Sequence, residues 1–273
     1  MKPMKKVALL HSLCSVGKAS LTNMIPIIST MGIEVCPIPT VLLSTHTGGY
    51  GMPAIQSVTP EYIHACADHY VEQNITFDMI FIGYLGNVDM VSAVVYFTKK
   101  FPNATVILDP ILGDHGKYYS NLNSDYSKAF QKLLPYADII LPNLTEACFL
   151  TDMPYNELPD QEQLYSITTS LHRLGAKNII ITSVEDDEET IGVYLSTSFE
   201  VNRFKFHKES VNFHGSGDVF DAVFMASILQ RHSIENSIRN AHAFVSKCIS
   251  KSAQLKYPEE EGLVIELMLS ELV

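Results

Sequence analysis

Nowhere in its 273 residues does this chain approach the ~20 consecutive apolar residues that a membrane-spanning helix requires. Hydrophobic residues still make up 47% of it, so there is a large core to bury and no expected membrane partner. Positive charge is scarce: 19 Lys and Arg against 30 Asp and Glu give a formal net charge of −11. A surface of that sign repels phosphate backbones and anionic lipid, which argues against nucleic acid or a membrane surface. Cysteines number five, at Cys14, Cys36, Cys66, Cys148 and Cys248. Their odd count and scatter exclude a disulfide framework or zinc spacing and point to a reducing, cytoplasmic setting. The Asn-x-Thr triplets at Asn74, Asn103 and Asn143 then carry no glycosylation meaning. Residues 1–6 are basic, but the apolar run 7–10 is too short for a signal sequence and reads as a first strand. No linker, repeat or low-complexity stretch divides the chain, and the acidic run 185–189 reads as a solvated loop. The expectation is a single domain over 1–273.

Several familiar motifs are also missing. Gly17-Lys18 with Ser20 nearby is no phosphate-binding P-loop: no glycine stands five residues before Gly17, and Ala19 occupies the hydroxyl position. The first strand–helix turn lacks the three spaced glycines of a dinucleotide site. Ser12 lies in no nucleophile elbow.

What is present is alternation. Short apolar runs at 7–10, 33–38, 79–82, 105–108, 138–141 and 178–181 read as strands. Helical patterns at 15–31, 61–73, 88–100, 124–134, 145–150 and 161–174 separate them, and 40–51 reads as a polar loop. An antiparallel pair is expected at 190–195 and 199–206, then three helices at 218–231, 234–252 and 261–272. Continuous apolar strands alternating with helices predict the α/β class, a mostly parallel central sheet with helices on both faces.

In such a sheet, ligands bind beyond the carboxyl ends of the strands. Five strands end there in polar residues: His11-Ser12, Gly83-Tyr84, Asp109, Asn143 and Thr182-Ser183. The segment Val211-Asn-Phe-His-Gly-Ser-Gly-Asp218 adds a glycine-rich turn entering an apolar helix, 219–229. Such a turn aims backbone N–H groups and a positive helix end at one spot, suited to phosphate. Asp218 could accept a proton from an alcohol there, or serve simply as a charge at the helix start. Asp109, Asp114 and Glu146 are hard oxygen donors of the kind Mg²⁺ takes, usually with waters and substrate phosphates. The plainer alternative makes Asp109 a turn former and Asp114 a solvated side chain. His46 sits in an unusually polar loop and is structural or functional.

Together these segments resemble the ribokinase-like superfamily and, within it, the pyridoxal (vitamin B6) kinases. Gly215-Ser-Gly-Asp218 is similar to the superfamily's Gly-Thr/Ser-Gly-Asp signature. Ser44-Thr-His-Thr-Gly48, Phe81-Ile-Gly-Tyr-Leu-Gly86, Val106-Ile-Leu-Asp-Pro-Ile-Leu-Gly-Asp114, Gly116-Lys-Tyr118, Ala137-Asp-Ile-Ile-Leu-Pro-Asn143 to Glu146, and Ile180-Ile-Thr-Ser183 resemble B6-kinase segments in the same order. The first turn, His11-Ser-Leu-Cys-Ser-Val-Gly17, is shorter than in many B6 kinases and looks more like a bacterial pyridoxamine kinase-type group. His214 stands where a small or aliphatic residue is common in the family.

The resemblance implies ATP-dependent phosphorylation of the 5′-hydroxymethyl group of pyridoxal, pyridoxine or pyridoxamine. Asp218 would be the base, with Gly215, Ser216 and Gly217 as the anion hole. Asn143, Thr182, Ser183, Val211 and Phe213 would hold ATP. Ser12, His46, Thr47 and Tyr84 would frame the pyridine ring, with Asp218 at its hydroxymethyl group. Mg²⁺ would lie near Asp109, Asp114 and Glu146, with a monovalent cation left open, and the protein would be a homodimer. Two alternatives remain: a hydroxymethylpyrimidine kinase, some dual-specificity members of which carry Cys where this chain has Asp218, and a binder that lost turnover.

Overall fold

The structure, a computed structural model, describes residues 4–185, 187, 189–198 and 200–273. The start of the basic lead-in (1–3), two positions of the acidic run (186 and 188) and the first residue of the expected strand 199–206 lie outside the described residues.

The parallel heart of the molecule is built from short apolar runs. β1 (Lys6–Val16), β4 (Met79–Ile82), β5 (Thr105–Leu108), β8 (Ile139–Ile140) and β9 (Asn178–Glu185) pair in parallel, in the sheet order β9-β8-β5-β4-β1. β2 (Glu34–Thr45) joins β1 in parallel on one side, and the short β3 (Ile55–Ser57) closes that edge antiparallel. On the other side β10 (Thr190–Ser196) and β11 (Val201–His207) add antiparallel strands.

Side chains alternate across a strand, so each run feeds two cores. Ala8, Leu10, Ile80, Ile82, Val106 and Leu108 pack on one face under α2 (Pro60–Glu72), α3 (Asp89–Lys100), α4 (Ser124–Phe130), α5 (Leu144–Thr151) and α6 (Gln161–Arg173). Val7, Leu9, Met79, Phe81 and Ile107 pack on the other, under α1 (Leu21–Thr30), α7 (Ser216–Leu229) and α8 (Ile234–Gln254). The α/β class with helices on both faces is as the sequence implies.

Several expectations are corrected. The expected loop 40–51 is half strand: β2 continues to Thr45, and β1 runs on to Val16 beside it. Of β1, β4 pairs only with Val7–Leu10, so past His11 β1 and β2 leave the main sheet and stand above its carboxyl edge. His11-Ser12 is therefore not a strand end. It is where β1 parts from β4, marked by a register shift between His11 and Leu13. Thr182-Ser183 likewise lies inside β9, with Ser183 in a left-handed conformation at φ 56°. The expected helix 15–31 begins only at Leu21, because Ser15 and Val16 belong to β1. The expected helix 261–272 does not form. Pro258 and Gly262, with φ 77° at the glycine, break it into 3-10 turns at Glu259–Glu261 and Leu269–Leu272, while Leu263, Val264 and Ile265 are buried in irregular chain. A two-strand hairpin not expected from the sequence, β6 (Gly113–Asp114) with β7 (Lys117–Tyr118), follows β5. Among the described residues no helix is long and apolar enough to cross a membrane.

Candidate active site

α7 begins on a left-handed Gly215, φ 79°. A Cβ there would lie 2.3 Å from the Lys18 carbonyl oxygen and 2.5 Å from the Asn23 amide nitrogen, so a side chain is shut out by packing as well as by conformation. Asn23, fully buried, donates to the carbonyls of Lys18 at 2.6 Å and Gly215 at 3.3 Å. It ties the turn to the start of α1. Around Gly217 nothing approaches within 4 Å of where a Cβ would be, leaving the helix start open to a ligand. The first-turn N–H groups of a helix have no partner within it, so Ser216, Gly217 and Asp218 present donors at that opening.

The carboxylate of Asp218, 9% exposed, is aimed by two bonds. Its Oδ2 accepts the Ser20 N–H at 2.7 Å, and its Oδ1 accepts from His11 Nε2 at 2.9 Å. The Ser12 hydroxyl is 2.6 Å from that of Ser20, so Ser12, Ser20, His11 and Asp218 form one connected group. Tyr84 enters the same group through its backbone N–H, 3.2 Å from His11 Nδ1, and its phenol oxygen accepts from Asn121. Burial raises the Tyr84 phenol and keeps it a neutral donor.

Asp109, at the end of β5, shares a hydrogen bond with Asp221, one turn along α7 from Asp218. Burial pushes Asp109 up to about 7, and the nearby Asp218 charge adds to this. Asp221 is raised well above its ordinary value, by burial first and then by Asp109. The two carboxyls titrate as a pair that shares a proton. The other oxygen of Asp221, Oδ2, is buried with no hydrogen-bond partner.

Glu146 is 3% exposed and caps α5 with Asn143. Its two oxygens accept the N–H groups of Leu112 at 3.0 Å and Asn143 at 2.8 Å, while the Asn143 amide donates to the Gly113 carbonyl at 2.9 Å. Burial and the Asp109 charge hold Glu146 well above the usual carboxylate range against those N–H bonds. Asp114 lies exposed on the hairpin, against His115. Tyr119 is 38% exposed, but desolvation around its hydroxyl, and then the charges of Glu146, Asp114, Asp109 and Asp218, raise the phenol well above its ordinary value.

His46 is held at both ring nitrogens. Nδ1 accepts the Gly48 N–H at 3.0 Å, and Nε2 donates to the Glu260 carbonyl at 2.7 Å. Its ring also lies 4.8 Å from that of His214. The structure thus puts His46 between the loop after β2, the turn before α7 and the chain after α8. Thr47 is half-buried beside it. Thr182 donates its backbone N–H to Pro142 at 2.9 Å, beside Asn143. Phe213 is buried in the α7-side core with Val211 packed against it.

The family described as phosphomethylpyrimidine kinase matches residues 25–263. The chain belongs to this family. Among relatives, a Schizosaccharomyces pombe protein provisionally named a pyridoxal kinase is 30% identical over 205 residues, 71% of this chain and 58% of that protein. The chain thus spans under two thirds of that relative. The pyridoxal kinase of Dictyostelium discoideum is 29% identical over 215 residues, 71% of this chain and 68% of its own length. A Bacteroides thetaiotaomicron protein provisionally named a phosphomethylpyrimidine kinase, solved with pyridoxal, is 33% identical with a TM-score of 0.91, covering 98% of this chain and 96% of that one.

Against this phosphomethylpyrimidine kinase background, the sequence reading missed four contributors: the role of His11, and Asn23, Tyr119 and Asp221. Only Asp221 had a legible signal. A second aspartate three residues after Asp218 falls on the same helix face, inside an otherwise apolar run.

Proposed function

We propose that this chain transfers the γ-phosphoryl group of ATP to the 5′-hydroxymethyl group of pyridoxal, pyridoxine or pyridoxamine, acting in B6 salvage. The observation that carries this reading is Asp218, a carboxylate aimed by two hydrogen bonds at the mouth of a helix start whose N–H groups are free. A site that only bound a vitamin or nucleotide would need no such base. In the transfer, Asp218 takes the hydroxyl proton as the alcohol oxygen forms its bond to the γ-phosphorus. The bond from that phosphorus to the bridging oxygen breaks, and its electrons leave with ADP. The proton on Asp218 then passes to solvent. The N–H groups of Gly215, Ser216 and Gly217 stabilise the charge on the transferring oxygens, so catalysis is mostly positioning and electrostatics.

Ser12, His46, Thr47 and Tyr84 are the proposed wall for the pyridine ring, His46 by holding that wall in place through backbone contacts. Asn143, Thr182 and Ser183 would face the phosphates, and Val211 and Phe213 the adenine. Among the described residues no group of three or more His, Cys, Asp or Glu side chains could hold a metal alone. That fits Mg²⁺, which is commonly held by one or two carboxylates together with substrate phosphates. Asp109 and Asp114 would hold it, with Glu146 fixing the loop between them, and it would neutralise charge on the phosphoryl group. All five cysteines are free thiols, which supports a cytoplasmic setting. A single kinase domain over 1–273 that works as a homodimer completes the proposal.

The decisive assay offers the three B6 vitamers and hydroxymethylpyrimidine separately with Mg-ATP and reads ADP release. The vitamers should be used with the highest kcat/KM. Preference for the pyrimidine alcohol over every vitamer would make this a thiamine-pathway kinase, as the family's own description allows. No turnover with any of the alcohols would leave the binder reading.

A further inference from the structure

We propose that His11 is the positioning residue that couples the substrate wall to the base, resting on the reading of Asp218 as base. His11 is fully buried, yet its ring is bonded at both nitrogens. Nδ1 lies 2.8 Å from the Ser12 nitrogen and 3.2 Å from that of Tyr84, and both N–H groups donate to it. A nitrogen receiving two donors carries no hydrogen, so the ring proton sits on Nε2. That proton is the one donated to Asp218 Oδ1 at 2.9 Å.

The ring has no freedom to take another pose. A Cβ on Gly83 would fall 2.7 Å from its Cδ2, so Gly83 lets the backbone after β4 press against the imidazole. The Phe81 ring packs nearby, with centroids 5.8 Å apart. A carboxylate's own χ2 torsion is soft and broad. Here the rotation of Asp218 is fixed because its two oxygens are claimed from different directions, by His11 on β1 and by Ser20 at the start of α1. A carboxylate offers about four lone-pair sites, so those two bonds leave others free for the alcohol.

The consequence is geometric. Ser12 and Tyr84, two residues proposed to frame the pyridine ring, donate to one side of the imidazole while the base hangs from the other. The distance from ring wall to base is thereby set across one rigid five-membered ring, although the wall stands on β1 and after β4 and the base on α7. An error of an ångström in that distance would cost rate steeply. His11 does this without touching the reacting atoms.

The test compares wild type, His11→Gln, His11→Leu, Asp218→Asn and the Asp218→Asn/His11→Leu double variant, in steady-state vitamer phosphorylation with Mg-ATP. His11→Leu should lower kcat about 10- to 100-fold, the range that loss of a hydrogen bond to a charged group supplies. The KM for ATP should stay within about twofold. His11→Gln, which keeps an N–H donor near the Nε2 position, should recover most of the loss. In the Asp218→Asn background the His11→Leu change should cost nothing further, because the two act as a unit. Unchanged kcat in His11→Leu, or equal loss in the Gln and Leu variants, overturns the proposal. If Asp218→Asn itself turns over near normally, the base reading falls instead. Should His11→Leu fail to fold, ¹⁵N-histidine spectra of the wild-type protein still decide, with the His11 signal assigned by its absence in His11→Gln. A ring protonated at Nε2 and bare at Nδ1 is expected, and a proton on Nδ1 overturns the assignment.

Discussion

At the amino-terminal edge of the central sheet, Asp78 and Asp138 each divide their oxygens between a strand and a lysine. Asp78 accepts the Lys6 N–H at 2.9 Å and pairs with Lys5 at 2.8 Å; Asp138 accepts the Val106 N–H at 2.9 Å and pairs with Lys177 at 2.8 Å. At the carboxyl edge, Asp109, Glu146, Asp218 and Asp221 influence one another's charge and are bonded to backbone N–H groups, to His11 and, for Asp109 and Asp221, to each other. Among the described residues no lysine or arginine forms an ion pair with any of the four. One edge neutralises its acids at the surface, where pairs cost little and return little. The other buries carboxyl groups that no cation pairs, and burial pushes Asp109, Glu146 and Asp221 toward their neutral forms, so they become fully charged only where a ligand brings a cation. The two edges separate stability from function within a single sheet.

That contrast can be broken from either side. Asp218→Asn should cost at least ~10² in kcat, the low end for a general base, with little change in ATP binding; steady-state kinetics with nucleotide titration would show it. Near-normal turnover would reduce this aspartate to a helix-start charge like any other. Next in size, Glu146→Ala should lower stability by about 1–3 kcal/mol, because the Leu112 and Asn143 N–H groups lose their acceptor in a buried place. Urea unfolding measures that loss, and an unchanged midpoint would mean water replaces the carboxylate.

A third experiment uses pH. Asp109 has a folded-state value of about 7 against an ordinary 3.8, and Asp221 is likewise raised well above its ordinary value. For an acid raised by folding, the favourable contribution is full below the unfolded value and is lost as pH rises through the folded one. Without nucleotide or magnesium, stability should therefore fall from about pH 4 to pH 7 and beyond. Asp221→Asn removes one such proton and should flatten that slope by about 1.4 kcal/mol per pH unit. A slope as steep as that of the wild type would detach Asp221 from the pair. The smallest effect is expected at the other edge. Lys177→Ala should change stability by less than about 1 kcal/mol, as exposed ion pairs do, and leave kcat alone. Any clear loss of turnover there would end the separation between the edges.

The same contrast explains what could be read from the sequence. Residues 79–82 and 105–108 were legible to the residue because a parallel strand buried on both faces has no reason to include polar side chains. Residues 40–45 were not. Beyond the main sheet β2 exposes Leu42 and Ser44 and half-exposes Thr45, while Thr40 is buried with its hydroxyl donating to the Tyr84 carbonyl at 2.6 Å, so its polar residues look like loop. The segment 261–272 has helical spacing but follows Pro258 and Gly262, and tertiary burial of Leu263 to Ile265 outweighed its pattern. In the site, Asp218 and its glycines announced themselves through a compact local motif. His11 and Asn23 acquire their roles in the site through Asp218 and Gly215, about two hundred residues along the chain, and no local spacing records that. His46 was visible as an unusual residue, but its attachment to the Glu260 carbonyl was not.

The bonds that aim the site join distant positions: His11 with Asp218 across 207 residues, Ser20 with Asp218 across 198, and His46 with Glu260 across 214. During synthesis, at roughly 5–20 residues per second, β1 and its neighbours emerge well before α7 exists to meet them. A nascent chain can settle much of its parallel sheet while the base and its anchors are still unmade. Partly built protein therefore lacks the two bonds that aim the carboxylate of Asp218, the proposed base. The proposed site is thus assembled late, when α7 brings Asp218 to the buried imidazole of His11.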